Sequence, residues 1–298
     1  MNDGEIGLTR CPICPHACAI PEGGTGYCGI RTNKGGRIRS ETYGIVSGIA
    51  LDPIEKKPLR RYREGSMILS VGGYGCNLRC PFCQNSHIAA TAGVDREAIR
   101  AMTPVTPAEL TAMAVKYIPK GNIGVAYTYN EPLINYEYLL DCAKAVREAG
   151  LKNVLVTNGL INPEPLEVLL PYIDAMNIDL KGFTEDFYSR MAGRSVSGNK
   201  NSPEGGASFL DTVRDTIARA YNRCHIEVTT LIIPDENETH IEPIARWLSE
   251  RSPEIPYHIS RFFPRHRYAD REPTPPQTIH TLAQTARKYL KHVYAGNL

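Results

Sequence analysis

From Ser66 onward the chain alternates short apolar runs with longer stretches of helical periodicity. The runs at 67–71, 123–127, 153–157, 175–180, 226–233 and 257–262 predict six strands. Helices are predicted between them at about 107–118, 132–149, 163–171, 207–221 and 240–250, with another at 276–291. Thr106 before Pro107 and Glu109 reads as a helix cap. Pro132 opens a stretch in which Leu139, Leu140, Ala143 and Val146 recur at helical spacing until Gly150 stops it. Repeated strand–helix alternation implies a parallel sheet with right-handed crossovers and a functional site at the carboxyl ends of the strands.

Six strands suit either an open doubly wound sheet or an incomplete α/β barrel, and the period-2 pattern favours the barrel. At 175–181, Met176, Ile178 and Leu180 share one face, and Asn177, Asp179 and Lys181 share the other. At 225–229, Ile226 and Val228 oppose His225, Glu227 and Thr229. Parallel strands usually have both faces covered, so polar residues facing inward suit a barrel that holds a cofactor.

Residues 1–63 have another texture, with little periodic hydrophobicity and glycines at 23, 24, 26, 35 and 36. Such a segment needs a metal, the main body, or both to hold a shape. The expected division is 1–63 as a small cysteine-rich metal-binding segment with its linker, and 64–298 as the barrel with a C-terminal helix. The run Asp52-Pro53-Ile54-Glu55-Lys56-Lys57-Pro58-Leu59 reads as a polar connection, and the basic residues from Lys56 to Arg63 as a solvated linker.

A hydrophobic content of 42% with 22% charged residues excludes a mostly disordered chain. The 34 basic and 32 acidic residues leave a net charge of +2, so no global basic field argues for nucleic acid. No apolar stretch approaches the ~18 residues needed to cross a bilayer. The polar start MNDGEIGLTR lacks the apolar core of a signal peptide, so the expected location is the cytoplasm.

The nine cysteines are too few for a disulfide scaffold and too clustered to be incidental. Cys76, Cys80 and Cys83 form a Cys-x3-Cys-x2-Cys loop after the first predicted strand and the glycines at 72, 73 and 75. Three close thiolates can ligate three irons of a 4Fe–4S cubane and leave the fourth iron open for chemistry. Neither Cys142, inside a helical pattern, nor Cys224, alone at a strand start, is a convincing fourth ligand. Zinc on these thiols and His87 is the competing reading, but zinc knuckles favour Cys-x2-Cys pairs.

Cys-x3-Cys-x-aromatic-Cys after the first strand of an α/β chain resembles the signature of the radical S-adenosylmethionine (SAM) superfamily. The resemblance implies an α/β fold, a partial (β/α)6 TIM-like barrel. It also implies an enzyme that reductively cleaves SAM on a 4Fe–4S cluster held by Cys76, Cys80 and Cys83. The product would be a 5′-deoxyadenosyl radical that abstracts hydrogen from a substrate. Within that pattern Glu131 stands where an acidic residue accepts hydrogen bonds from the SAM amino group, with Tyr129-Asn130 in place of two glycines. Asn130 then becomes a further contact through its amide. Asn158, Asp179 and Lys181 resemble SAM-contacting segments of the glycyl-radical-enzyme activases, with Lys181 suited to the methionine carboxylate. His258 matches another SAM-proximal position.

Cys11, Cys14, Cys18 and Cys28 form a second set, Cys-x2-Cys-x3-Cys-x9-Cys, able to hold a zinc ion or an auxiliary iron–sulfur cluster. This block, the run at 52–59, Ser260-Arg261-Phe262-Phe263-Pro264 and the segment 293–297 are similar to the radical SAM protein of the AmmeMemoRadiSam system. That family is related to the pyruvate formate-lyase activating enzymes. The similarity implies Memo-like and AMMECR-like partners and a low-potential electron donor, and it names no substrate, small molecule or protein. Substrate selection is expected at barrel-interior and loop positions such as Glu227, Thr229 and the polar stretch 193–208. Two further readings are a glycyl-radical-enzyme activase and a non-catalytic zinc-binding interaction protein.

Overall fold

The computed structural model describes residues 7–90, 96–193 and 208–298. The glycine-rich start folds into two small antiparallel pairs, β1 (Thr9–Arg10) with β2 (Ala19–Ile20) and β3 (Arg31–Lys34) with β4 (Arg37–Ser40). The β1–β2 pair closes the loop that carries Cys11, Cys14 and Cys18. These pairs share no large core of their own and lie on the barrel. The buried Arg31 guanidinium meets Glu137 through two bonds of 2.7 and 2.9 Å and also donates to the Ile134 carbonyl. Asn162 donates from its amide side chain to Pro12 and from its backbone to Ile13.

Eight further strands form one sheet: β5 (Gly48–Pro53), β6 (Met67–Gly72), β7 (Asn122–Thr128), β8 (Lys152–Thr157), β9 (Ala175–Asp179), β10 (His225–Ile232), β11 (Tyr257–Arg261) and β12 (Val293–Gly296). Each pairs with its chain neighbour. Every pairing is parallel except β5 with β6, and β5 and β12 are the two free edges. The six predicted strands are β6 to β11. The two edge strands went unread, because β5 is a half-exposed strand inside the glycine-rich segment and β12 has only four residues.

The helices are α1 (Ser86–Ala89), α2 (Arg96–Arg100), α3 (Pro107–Lys116), α4 (Tyr136–Glu148), α5 (Pro163–Leu169), α6 (Glu185–Ala192), α7 (Phe209–Tyr221), α8 (Ile241–Arg251) and α9 (Pro276–Ala286). The six predicted helices are present as α3, α4, α5, α7, α8 and α9. The Thr106–Glu109 capping box forms as expected. Residues 132–135 make a 3₁₀ turn before α4. The additional α6 has its N-cap at Thr184 and ends at Gly193, where φ is +66°. The polar stretch expected to influence substrate selection falls mostly on 194–207, outside the described residues.

Alternation along the strands separates two interiors. Leu69, Val71, Val125, Tyr127, Met176, Ile178, Ile226, Val228 and Ile259 join the large core beneath the helices. Their neighbours Ile68, Ala126, Val154 and Ala175 meet Ile54 and Leu59 in a separate small core inside the barrel. The run at 52–59 is therefore not a polar connection, and the basic stretch after it is not merely a solvated linker. Together they form the plug of the barrel. Ile54 and Leu59 are fully buried, Lys57 is buried beside them, and Tyr62 packs at the edge.

The plug is tied down by polar groups as well. The Glu227 carboxylate accepts the backbone N–H groups of Arg60 (3.0 Å) and Arg61 (2.8 Å), while Asn177 donates to the Pro58 carbonyl at 2.8 Å. Truncating Leu59 to alanine should destabilise the fold by roughly 2–5 kcal/mol, since the side chain is fully buried among Ile54, Ile68, Ala126, Val154 and Ala175. Urea unfolding measures this, and a change below about 1 kcal/mol would show that the plug packs loosely.

Candidate active site and cluster loop

The loop 76–83 is held by its non-cysteine residues. Leu78 enters the large core, while Phe82 packs with Phe187, Met191, Ile233 and Phe262 in a pocket of its own. The Arg79 amide donates to the Met191 carbonyl at 2.8 Å. Arg267 binds the loop twice, through its backbone N–H to Pro81 and its guanidinium to Arg79. With these anchors buried, Cys76, Cys80 and Cys83 all line one cavity of about 370 Å³ at the carboxyl ends of the strands. That is the size range of a small-molecule site.

The same cavity is lined by Asn130, Glu131, Asn158, Asp179 and Lys181, five of the six residues expected at the cofactor. Glu131 is almost fully buried. Its carboxylate accepts from the Thr157 hydroxyl (2.7 Å) and from the backbone amides of Leu133 (3.1 Å) and Asn158 (2.8 Å). It is thus a helix-cap acid and a cavity residue at once. A carboxylate has about four acceptor sites, so three protein donors leave one for a ligand. Burial raises its pKa from 4.5 to about 7, against the pull of those three bonds.

Lys181 reaches Asp179 at 2.7 Å. Burial opposes its charge, but Asp179 and the nearby Cys80 hold the ammonium above its ordinary pKa. One of its three donors is used on Asp179, which leaves two for an anionic group. The Asn158 amide lies 3.8 Å from the Cys76 sulfur and 2.8 Å from the Asn77 side-chain oxygen. Asn130 has a different task. Its side chain accepts from Gly73 N–H and donates to the Tyr74 and Gly75 carbonyls, clipping the glycine turn that leads into the cysteine loop.

His258 is placed elsewhere. Its Nε2 lies 2.6 Å from Glu227, its ring stacks on Tyr294, and it is not among the residues that line the cavity. Glu227 also lies outside the cavity wall, whereas Thr229 lines it. His87 is exposed on α1 and away from the thiols' cavity.

One group at the cavity was missed from sequence. Asp52 accepts from Lys57 Nζ and from the Tyr129 hydroxyl, both at 2.9 Å, and the Lys57 ammonium lies 5.0 Å from the Tyr129 ring centre. Burial works against the Asp52 charge, but these partners keep its pKa below the usual carboxylate range. Burial likewise lowers that of Lys57. Tyr129 takes the left-handed φ of +72° that a glycine would adopt freely, and these contacts hold it there. The unusual Tyr129-Asn130 pair was the available signal.

The donor set suits an iron–sulfur cluster. Three soft thiols face one cavity, and none is used in a disulfide. Burial raises the pKa of all three in the free chain, Cys80 to about 11, and a bound metal is what turns such thiols into thiolates. Among the described residues no three His, Cys, Asp or Glu side chains already converge at single-ion distance. Each thiolate of a cubane binds its own iron, so a cluster does not require such convergence.

The family model for the radical SAM superfamily matches residues 70–248, more than half of the chain. The chain belongs to the radical SAM superfamily. This radical SAM protein is 37% identical over its whole length to an uncharacterized protein of Methanocaldococcus jannaschii, covering 83% of that protein. It is 26% identical over 75% of its length to a pyruvate formate-lyase-activating enzyme of Clostridium pasteurianum, covering 82% of it. Among solved structures, Streptococcus suis SuiB superposes with a TM-score of 0.52 at 13% identity, over 76% of this chain and 48% of that one. Membership implies an enzyme fold that binds a 4Fe–4S cluster and SAM. No helix among the described residues is long and apolar enough to cross a membrane.

Glu131 supplies a pH test of this site. A buried carboxyl with a raised pKa does not penalise the fold below about pH 4.5, where it is protonated in both states. Between pH 4.5 and 7 the fold loses stability, on the order of 3 kcal/mol, as only the unfolded chain ionises. Glu131→Gln should abolish that slope in urea unfolding of the metal-free chain. It should also weaken SAM binding to the cluster-loaded chain at pH 8 by about tenfold. Identical stability–pH profiles in the two proteins would contradict the burial argument.

Proposed function

We propose that this chain reductively cleaves SAM and directs the resulting radical at a substrate held over the same cavity. The observation that carries the reading is the convergence of Cys76, Cys80 and Cys83 with Glu131, Asn158 and Lys181 around one cavity. When bound, the 4Fe–4S cluster and SAM supply a 5′-deoxyadenosyl radical for hydrogen abstraction. Cys76, Cys80 and Cys83 would be the ligands to the cluster. Glu131 offers its remaining acceptor site to the SAM amino group, and Lys181 offers its two free donors to the carboxylate. Asn158 orients Glu131 through its backbone amide and faces Cys76 with its side chain. Asp179 holds Lys181 in place.

A second reading, an activase that abstracts hydrogen from a protein backbone, is favoured by the similarity to the Clostridium pasteurianum activating enzyme. In that case the substrate is a protein, and Memo-like and AMMECR-like proteins are the first partners to try. The deciding experiment is formation of 5′-deoxyadenosine by the anaerobically reconstituted chain with SAM and a low-potential reductant. Absence of product from a cluster-loaded, SAM-binding protein, with or without those partners, would count against the proposal.

A further inference from the structure

We infer that Cys11, Cys14, Cys18 and Cys28 form a four-thiolate metal centre that braces the loop 76–83 from behind. The four thiols come from two separate turns yet line one small cavity with His16, Tyr27 and Arg31. Donors already point at the sulfurs. The Tyr27 amide lies 3.3 Å from Cys18 Sγ, the His16 amide faces Cys14, and the Ile30 and Arg31 amides face Cys28. Amide-to-sulfur bonds of this kind stabilise metal-bound thiolates. Arg31 is 2% exposed, lines this cavity, and turns its guanidinium toward Cys11. The apolar clusters around the segment are tiny and include Cys11 and Cys28 as members. A core of this size does not hold a glycine-rich segment of this length, and a metal supplies what is missing. The ligand is a thiophilic metal: an auxiliary iron–sulfur cluster, whose thiolates bind separate irons, or zinc, which would have to draw together thiols that do not yet stand at single-ion distance.

Both turns of this centre touch the loop. His16, between Cys14 and Cys18, donates its Nε2 proton to the Asn77 carbonyl at 2.7 Å; a carbonyl carries no proton, so the ring must be the donor. Tyr27, next to Cys28, stacks on His16 with ring centres 4.4 Å apart. The Arg79 guanidinium lies 4.4 Å from the Tyr27 ring centre and donates to the carbonyls of Tyr27 and Cys76. Gly75, immediately before Cys76, has a φ of +82°, and a Cβ there would stand 2.8 Å from the Cys28 carbonyl oxygen. The second centre is thus the wall against which the loop is pressed.

The test uses the full chain carrying Cys76→Ala, Cys80→Ala and Cys83→Ala, reconstituted anaerobically in one arm with zinc and in another with iron and sulfide. About one zinc, or about four irons with matching sulfide, should stay bound per chain and disappear when Cys11→Ser and Cys14→Ser are added. Either metal supports the centre and identifies it. No retained metal in both arms, or thiol counts showing two disulfides, overturns it. The bracing role rests on the proposed cluster at the loop, so it is read separately in the chain with an intact loop. There, His16→Ala should release the visible chromophore to a chelator on the order of tenfold faster. Tyr27→Leu, which removes the stacking but keeps apolar bulk, guards against a misfolded His16→Ala. An unchanged release rate in both variants overturns the bracing role, whereas a wild-type chain that takes up no chromophore would indict the cluster reading instead.

Discussion

Replacing Cys80 by serine should reduce 5′-deoxyadenosine formation to background while leaving the fold intact. Cys80 is the middle cysteine of the loop, and its neighbours hold it there independently of its own sulfur: Leu78 is anchored in the large core, Phe82 in its separate pocket, and the Arg79 amide on Met191. The substitution therefore changes the donor and not the loop. A serine hydroxyl is a harder, far less acidic ligand than a thiol, and iron–sulfur clusters select thiolate. On the proposed reading, the substitution would remove one of the three thiolates that would hold the cluster. Product measured by chromatography, iron and sulfide per chain, and the urea unfolding curve together decide the matter. Product persisting within about tenfold of the wild type would mean that Cys80 is not a ligand and that the loop has been misread.

Removing the Glu227 carboxylate should produce a large loss of stability for a single polar substitution. Glu227 is fully buried in β10 and accepts four hydrogen bonds, from His225 (3.0 Å), His258 (2.6 Å) and the backbone amides of Arg60 and Arg61. Burial penalises its charge, but the two histidines and two amides prevail and hold its pKa well below the ordinary carboxylate value. Alanine at this position removes the acceptor of all four donors; the buried His258 is left without its partner, while the part-buried His225, Arg60 and Arg61 groups can turn to water, at a cost of about 2–4 kcal/mol. The contribution has a sign in pH. A carboxyl with a lowered pKa stabilises the fold fully above its unfolded value near 4.5 and loses that contribution as the pH falls toward its folded value. Wild type and Glu227→Ala should therefore converge in stability under acid. A difference below about 1 kcal/mol at pH 7 would show that the plug is held by Ile54 and Leu59 alone.

Coupling between these two substitutions should be weak, because they act at opposite ends of the barrel. Cys80 lines the cavity at the strands' carboxyl ends, while Glu227 fastens the plug deeper in the interior and lies outside the cavity wall. Glu227→Ala should thus lower the unfolding midpoint more than it lowers turnover at a temperature where the variant remains folded.

Much of this was readable from the chain. The six central strands followed from apolar runs because a strand sandwiched between helices and a barrel interior leaves a continuous signal. The direction of Met176 and Ile178 against Asn177 and Asp179 followed from the two-residue repeat of a strand. The cysteine loop announced itself because metal ligation tolerates little variation in residue type or spacing. Other elements were legible only in part. Glu131 and Lys181 were placed at the cavity by family resemblance, but nothing in the sequence says that Glu131 already spends three acceptor sites on Thr157, Leu133 and Asn158.

By itself, then, the sequence determined whatever depends on local order: strand and helix periodicity, the thiol spacing, and the caps at Thr106 and Gly150. Tertiary structure alone decided whatever depends on which distant segments meet. The run at 52–59 looks polar in sequence, yet Ile54 and Leu59 fill the barrel because four successive strands present Ile68, Ala126, Val154 and Ala175 to them. His258 looks like a cofactor residue in sequence, yet it serves Glu227 because the register of β10 and β11 sets the two on neighbouring strands inside the wall. His16 lies 61 positions from Asn77, and only folding brings its proton to that carbonyl. Side-chain periodicity is a property of a few consecutive residues, whereas burial is a property of the whole closed surface.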